Sequence, residues 1–282
     1  MSFRETAAGV RSGSAGAGVT AAGVTAALEI SNVSHSFRTP AGAAMTALED
    51  VSVSIAENEF FTVVGPTGCG KTTLLNIAAG LIVPAAGSVT MSKQGPSGPE
   101  KPTIGYITQD SNLLPWCTVI ENIMVGLEAR GVPRAERRAR AADWAARVGL
   151  AKFEDHYPRQ LSGGMQKRCS IARTMVYEPD IVFMDEPFSA LDAITKSVLQ
   201  EVFLQLHDQS LKTIIFITHD LNEAITLSDR VAVMTGRPGR VKTVVGIPFG
   251  RPRDVYHITR AEGFQDLHDR LWSHLELDLD LQ

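Results

Sequence analysis

A glycine-rich segment of the chain has the residue types and the spacing of a phosphate-binding loop. It reads GPTGCGKTT and lies between a strand-like apolar run and a helix-like apolar run. Glycines let backbone N–H groups approach phosphate oxygens, and a helix starting here adds its N-terminal dipole. Lys71 would reach the outer phosphates, and the Thr72 hydroxyl would ligate Mg²⁺; a plain glycine-rich turn is the alternative. The predicted loop comprises Gly65, Pro66, Thr67, Gly68, Cys69, Gly70, Lys71, Thr72 and Thr73.

An acidic pair, Asp185 and Glu186, ends the apolar run IVFMDE. Asp185 would hold Mg²⁺, and Glu186 would accept a proton from an attacking water. Acidic residues after a strand also serve as helix caps. The chemical interpretation therefore depends on the phosphate loop that precedes this pair in the chain.

Two further polar residues end apolar runs: Gln109 ends GYITQ, and His219 ends TIIFITH. Both would lie at the carboxyl edge of a sheet, where ligands of open α/β sheets bind. The Gln109 amide could touch both Mg²⁺ and water, and His219 could take part in catalysis. A satisfied loop glutamine and a structural histidine are the alternatives.

The segment LSGG is a second candidate for gripping an anion. A helix that starts at Ser162, followed by Gly163 and Gly164, exposes free N–H groups and a hydroxyl. The sheet edge already holds one nucleotide in its own loop. A second anion-binding site is therefore useful if it contacts a nucleotide that is bound to another molecule.

The elements that would position these residues alternate between strands and helices. LEISNVSHSF predicts an edge strand, and VSVSIAENEFFTVVG predicts a strand, a turn and a buried strand that enters the glycine loop. TIGYITQ, DIVFMDE and KTIIFITHD are further strands, the last two apolar throughout, as in a parallel sheet covered on both faces. About 70 residues between TIGYITQ and DIVFMDE predict a helical insertion, and the chain ends with a hairpin and a helix, AEGFQDLHDRLWSHL.

Composition narrows the class of protein. With 282 residues, 44% of them hydrophobic and 21% charged, the chain is typical of globular proteins. No apolar run approaches the roughly 18–20 residues that span a bilayer. The net charge of −4 gives no overall field for nucleic acid, and we interpret the six arginines between Arg130 and Arg147 as a solvated helix face rather than a nucleic-acid patch. Three scattered cysteines favour a reducing compartment over a disulfide or zinc framework.

The ordered set GPTGCGKTT, Gln109, LSGGMQKR, IVFMDE, SALD and His219 resembles the ATP-binding subunit of ABC transporters. The resemblance covers roughly residues 28–250. It implies a P-loop NTPase core of the RecA-like type with a mostly parallel sheet, an N-terminal antiparallel β subdomain and an inserted α-helical subdomain. The domains expected are a disordered Ala/Gly-rich tail at 1–27, an ATPase domain at 28–250 with its helical insertion at about 110–178, and a helical extension at 251–282.

The resemblance also assigns roles to particular residues. Phe37 matches the aromatic residue that stacks on adenine, Glu186 the catalytic base and His219 the switch residue at the γ-phosphate. Two copies would meet head to tail, so that each ATP lies between the phosphate loop of one copy and Ser162, Gly163 and Gly164 of the other. Asp192 matches the loop that links the two sites across such a dimer. Cys69 would make the ATPase activity sensitive to bulky thiol reagents.

A finer resemblance, to the branch that imports nitrate, sulfonates and taurine, rests on LLPWCTVIENIMVGLE, FSALDAITK, GRPGRV and RPRD. It implies transmembrane permease subunits as partners, a periplasmic or extracellular solute-binding protein acting indirectly, and a peripheral place on the cytoplasmic face of the membrane. Leu113 to Trp116 is the predicted contact for a permease, unless Trp116 belongs to the core of the insertion. An ABC-type ATPase of a non-transport process, on DNA or in regulation, is the alternative function.

Overall fold

The computed structural model describes residues 25–38, 42–95, 98–189, 191–210 and 212–276. Most of the predicted N-terminal tail (residues 1–24) and the acidic end at 277–282 lie outside these residues. The strands are β1 (Ala26–Arg38), β2 (Ala44–Ala56), β3 (Phe60–Val64), β4 (Ala86–Met91), β5 (Lys93–Gly95), β6 (Gly98–Glu100), β7 (Ile104–Ile107), β8 (Ile181–Asp185), β9 (Thr213–Ile217), β10 (Arg230–Met234) and β11 (Val241–Gly246). The helices are α1 (Lys71–Ala78), α2 (Val119–Glu128), α3 (Arg134–Arg147), α4 (Gly163–Met175), α5 (Ala193–Ser210), α6 (Leu221–Leu227) and α7 (Phe264–Glu276), with short 3₁₀ helices at Pro158–Gln160 and Ile258–Arg260.

A six-stranded sheet in the order β11-β10-β3-β9-β8-β7 forms the centre of the molecule. Its strands run parallel from β10 to β7, and only β11 is antiparallel to its neighbour β10. Every residue of β3, β8 and β9 is buried, as their unbroken apolar runs predict for a sheet covered on both faces. The predicted mostly parallel α/β core is confirmed.

A second, antiparallel sheet has the order β2-β1-β4, which confirms the predicted N-terminal β subdomain. The prediction of an edge strand at LEISNVSHSF was wrong, because β1 is the central strand and pairs with β4 on its free side. The sequence of β4, AGSVTM, is rich in small residues with low strand propensity, so its pattern did not indicate a strand. Strand β1 also begins inside the predicted tail, where Ala26 and Ala27 are buried.

The helical insertion lies between β7 and β8 and contains α2, α3 and α4. Its core is apolar and includes Trp144, and it is continuous with the central sheet. Arg134, Arg138 and Arg147 of α3 are exposed, whereas the side chain of Arg137 is largely buried. Arg137 pairs with Glu128 at 2.9 Å and Arg147 with Asp143 at 2.8 Å. These pairs favour the interpretation of a solvated helix face.

The C-terminal helix α7 packs on α6 and β10. Phe264, Leu267 and Leu271 are buried there, as their spacing predicts, whereas Trp272 is 47% exposed. Among the described residues, no helix has the length and the apolar character needed to cross a membrane.

Candidate active site

The phosphate loop connects β3 to α1 at the carboxyl edge of the central sheet. Gly70 caps α1 with a φ of 99°, and a Cβ at this position would lie 2.8 Å from the carbonyl oxygen of Ala47. Only glycine fits this conformation and this close approach. The Lys71 ammonium donates to the carbonyls of Gly65 at 2.8 Å and Pro66 at 2.9 Å. The loop thus encloses the Lys71 ammonium at the start of helix α1. A positive charge and a helix N-terminus together are suited to binding a polyphosphate.

Cys69 is placed differently from the other residues of the loop. Its side chain is 1% exposed and packs against Gly65, and burial raises the pKa of its thiol. A protonated thiol without solvent contact reacts slowly. This burial does not favour the expected sensitivity of the ATPase activity to bulky thiol reagents, which stays a prediction.

A cleft of about 530 Å³ opens above the loop. Its size is that of a site for a small molecule or cofactor. The residues that line it are Phe37, Met45, Ala47, Thr67, Gly68, Gly70, Lys71, Thr72, Thr73, Gln109, Glu186, His219 and Arg237. The cleft therefore brings together the phosphate loop, the predicted aromatic residue, the predicted base and the predicted switch histidine.

Phe37 stands at one end of this cleft, near the end of β1. It pairs with Met45 of β2 across the antiparallel sheet, and its side chain is 37% exposed. The ring of His35 meets it edge to face, with centroids 4.7 Å apart. An exposed aromatic ring held in this way can stack on a planar base.

Asp185 lies behind the loop at the end of β8, where it accepts a hydrogen bond of 3.2 Å from the Thr72 hydroxyl. Burial raises the pKa of Asp185, and the neighbouring charge of Glu186 adds to this rise, while Thr72 and Lys71 oppose it. Asp185 is not a helix cap, because it is the last residue of a buried strand. The cap alternative is therefore wrong for this residue.

Glu186 follows β8 with a φ of 43°, a conformation that is uncommon for a residue with a side chain. Its N–H donates to the carbonyl of Ile217 at 3.1 Å, which ties this turn to the end of β9. The side chain lies 3.1 Å from Nδ1 of His219, which is exposed in the cleft. Such unusual backbone conformations concentrate at functional sites.

Gln109 is exposed and lines the same cleft, just beyond β7. Its carbonyl accepts a hydrogen bond of 2.8 Å from the Lys167 ammonium, which also donates to the carbonyl of Thr108. Lys167 is 2% exposed, and burial lowers its pKa to about 8. We had not predicted this lysine, although it follows LSGGMQ directly and joins α4 to Gln109.

Ser162, Gly163 and Gly164 form the N-terminus of α4, where the Ser162 hydroxyl accepts from the N–H of Met165 at 3.3 Å. None of them is among the residues that line the cleft of their own chain. A Cβ on Gly163 would meet nothing within 4 Å, so the N–H groups here are approachable. Asp192 is exposed, caps α5 through the N–H of Thr195 at 3.0 Å, and likewise lies outside the cleft lining.

Sequence reasoning missed three of the lining residues, Met45, Ala47 and Arg237, and Arg237 is the charged one. It lies in the turn between β10 and β11, within GRPGRV. From sequence alone, that segment is interpreted only as a hairpin and as a motif typical of the branch that imports nitrate, sulfonates and taurine. An arginine in a Gly/Pro turn carries no distinctive spacing, so only the fold shows that it enters the cleft.

The segment from Leu113 to Trp116 lies on the surface of the insertion. Trp116 is 71% exposed, so the alternative that it belongs to the core is wrong. Asn122, fully buried, exchanges hydrogen bonds of 2.8 and 3.1 Å with the backbone of Leu114 and donates to the carbonyl of Cys117 at 3.0 Å. These bonds fix the turn that presents the tryptophan to solvent.

The profile of the ABC transporter family matches residues 48–189. The chain belongs to this family, and its place there is that of the subunit that binds and hydrolyses ATP. A dimeric ATP-binding cassette in a post-hydrolysis state, bound to ADP and Pi, is 29% identical with a TM-score of 0.69, over 79% of this chain and all of that chain.

Three relatives make the position within the family clearer. An uncharacterized ABC transporter ATP-binding protein of Methanocaldococcus jannaschii is 49% identical over 76% of this chain and 79% of its own length. The bicarbonate transport ATP-binding protein CmpD of Synechocystis is 43% identical over 82% of both chains. The taurine import ATP-binding protein TauB of Yersinia pestis is 42% identical over 73% of this chain and 80% of its own. These relatives confirm the resemblance to that branch of the family.

Proposed function

We propose that this chain powers the import of a small anionic solute such as nitrate, an aliphatic sulfonate or taurine. It acts from the cytoplasmic face of the membrane, where it docks on transmembrane permease subunits that receive solute from a periplasmic or extracellular binding protein. The similarity to a taurine import protein and to a bicarbonate transport protein supports this class of cargo.

The observation that carries the proposal is the pair of Glu186 and His219 beside the phosphate loop in one cleft. A water molecule attacking the terminal phosphate would give its proton to the Glu186 carboxylate, which acts as general base. His219 is exposed next to Glu186, a position from which it can contact the γ-phosphate. Phe37 at the far end would stack on the base and so set the position of the triphosphate.

The oxygen donors of Thr72 and Gln109, which line the cleft, and of Asp185, which is buried beside Thr72, fit a Mg²⁺ ion. The Thr72 hydroxyl and the Asp185 carboxylate offer two hard oxygen atoms already 3.2 Å apart, and the Gln109 side chain lines the same cleft. Thr72, Gln109 and Asp185 are therefore the residues that would hold the ion. When bound, Mg²⁺ would neutralise charge on the phosphates.

A second copy of the chain would complete each ATP site. The LSGG helix start and Asp192 lie outside the cleft of their own chain and face solvent, so a partner can reach them. In a twofold dimer each surface serves the other copy in the same way. The solved dimeric cassette supports this arrangement.

The permease contact can be tested with Trp116→Ala in membrane vesicles that contain the permease. We expect solute uptake to fall by about tenfold or more, because an exposed tryptophan is a typical anchor of an interface, while ATP affinity stays unchanged. Trp272→Ala, which removes another exposed tryptophan at a distant position in the sequence, is the matched control. Unchanged uptake with Trp116→Ala would rule out this contact.

The same vesicles can identify the cargo. Uptake of nitrate, taurine, an alkanesulfonate and bicarbonate would be compared at the same ATP concentration. Uptake of one anion that disappears with Glu186→Gln would support import. ATP hydrolysis by the chain without ATP-dependent uptake of any of these anions would contradict the proposed cargo class.

A further inference from the structure

The turn between β10 and β11 lies flush against the phosphate loop. Gly239 in this turn donates to the carbonyl of Ala47 at 2.9 Å and accepts from the N–H of Glu49 at 3.0 Å, which joins it to β2. A Cβ on Gly239 would lie 2.0 Å from the carbonyl oxygen of Cys69, so only glycine permits this contact. The turn is therefore fixed to both walls of the cleft.

Arg237, two residues earlier, extends from this fixed turn into the cleft. Its Nε donates to the carbonyl of Gly68 at 3.0 Å, and Nη1 lies 3.1 Å from the sulfur of Met45. Within the described part of the chain no carboxylate pairs with it, and it is exposed. Arg237 and Lys71 are the arginine and the lysine among the residues that line the cleft.

The two contacts place the guanidinium between the two ends of the nucleotide site. Gly68 belongs to the phosphate loop, whereas Met45 is the cross-strand partner of Phe37, the aromatic residue at the base end. A nucleotide stacked on Phe37 with its terminal phosphates in the loop must pass this point with its ribose and α-phosphate. An unpaired guanidinium is well suited to bind an anionic phosphate oxygen through charge-assisted hydrogen bonds.

We propose that Arg237 is a nucleotide-binding residue whose guanidinium contacts the ribose and α-phosphate portion of ATP. This inference rests on the proposed use of the cleft for ATP. The contact forms with ATP and ADP alike, since both carry the ribose and α-phosphate. It therefore stabilises the ground state and the transition state equally and affects affinity rather than the chemical step.

The test compares Arg237→Ala and Arg237→Lys with Arg240→Ala. Arg240 lies in the same turn, but it pairs with Glu49 at 2.8 Å and is not among the residues that line the cleft. Equilibrium affinities for ATP and ADP and kcat at saturating ATP would be measured for each variant. We expect Arg237→Ala to weaken both nucleotides about tenfold, with kcat nearly unchanged, Arg237→Lys to be intermediate and Arg240→Ala to match the wild type.

Each other outcome has a definite meaning. Wild-type affinities in Arg237→Ala would overturn the inference. A loss of kcat without loss of affinity would overturn it as well, because it would show that Arg237 only braces the carbonyl of Gly68. An equal loss in Arg240→Ala would mean that the turn as a whole is needed, and it would overturn the specific contact. A wild-type chain that binds neither nucleotide would overturn the proposed use of the cleft for ATP.

Discussion

At the scale of single residues, the chemistry of this cleft depends on how the backbone aims Glu186. The residue leaves β8 in a left-handed conformation, and its N–H is bound to the carbonyl of Ile217 on β9. The Ser189 hydroxyl donates to the carbonyl of Glu186 at 3.0 Å, so both backbone groups are occupied. The carboxylate is thereby held toward His219 and the cleft without depending on any ligand.

Replacing Glu186 with Gln should slow ATP hydrolysis by at least about 100-fold, since it removes the base but keeps the shape. ATP binding should persist, and the ATP-bound variant should accumulate as a closed dimer. Single-turnover hydrolysis and size-exclusion chromatography with ATP would measure both effects. Glu178→Gln is the matched control, because Glu178 is another glutamate with positive φ, at 52°, but it lies outside the cleft. Near-normal turnover in Glu186→Gln would rule out the base assignment.

Residues were predictable from sequence where the chemistry demands a fixed spacing along the chain. The phosphate loop, Asp185 with Glu186, and Ser162 with its glycines are local patterns of this kind. Arg237 and Lys167 are positioned by contacts with backbone carbonyls of distant segments, and such contacts leave no pattern in the sequence. The placing of His219 beside Glu186 was foreseeable only in part, because adjacency of β8 and β9 comes from the sheet order.

At the scale of elements, a cluster of charges attaches the segment after β11 to the core. Asp229, just before β10, accepts from the N–H of Phe60 at 2.8 Å and from Arg251 at 3.0 Å. Arg253 and His207 lie within 3.7 Å and 3.6 Å of the same carboxylate. Burial alone would raise the pKa of Asp229, but contact with His207, the Phe60 N–H and Arg251 outweighs burial and lowers this pKa to about 2.

The lowered pKa of Asp229 predicts how the stability of the protein depends on pH. The pKa falls from 3.8 to about 2 on folding, so the stabilisation is complete above pH 3.8 and is lost as pH falls through 2. Asp229→Asn should lower the free energy of unfolding by about 1–2 kcal/mol at pH 7, after allowance for partial solvent screening. Urea unfolding at a series of pH values should show this difference shrinking below pH 4.

The matched control for this experiment is Asp143→Asn, which breaks an exposed pair with Arg147 on α3. It should change stability by less than about 0.5 kcal/mol at any pH. A difference for Asp229→Asn that stays constant from pH 7 to pH 2 would contradict the role of the ionised carboxylate.

Strands were predictable from sequence where a continuous apolar run forms the whole strand. They were less predictable where the strand depends on pairing with a distant segment. The apolar runs of β3, β8 and β9 could be assigned because both faces of each strand are covered. Strand β4 adds to the free edge of β1, and of its residues only Val89 and Met91 pack against the hydrophobic core. For the same reason the place of β1 in its sheet could not be derived from its own pattern.

At the scale of the whole molecule, the residues that we propose to bind nucleotide divide into two groups on separate surfaces. One group lines the cleft, and the other, Ser162 to Gly164 with Asp192, lies outside it. The two segments of the second group lie next to each other. A Cβ on Gly164 would come within 3.4 Å of the side chain of Leu191, the residue before Asp192. On this proposal a single chain carries two half-sites, and a head-to-tail dimer is the arrangement that would use both.

Mixing two inactive variants would test whether the half-sites combine across a dimer. Lys71→Ala disables the phosphate loop, and Gly163→Asp places a negative charge at the LSGG helix start, where a side chain meets nothing within 4 Å. Each variant alone should be inactive. In an equal mixture half of the dimers pair one variant with the other, and each such dimer has one complete site, so about a quarter of the wild-type ATPase activity should return. If mixed dimers form and activity stays absent, the prediction of a shared site that works on its own is contradicted.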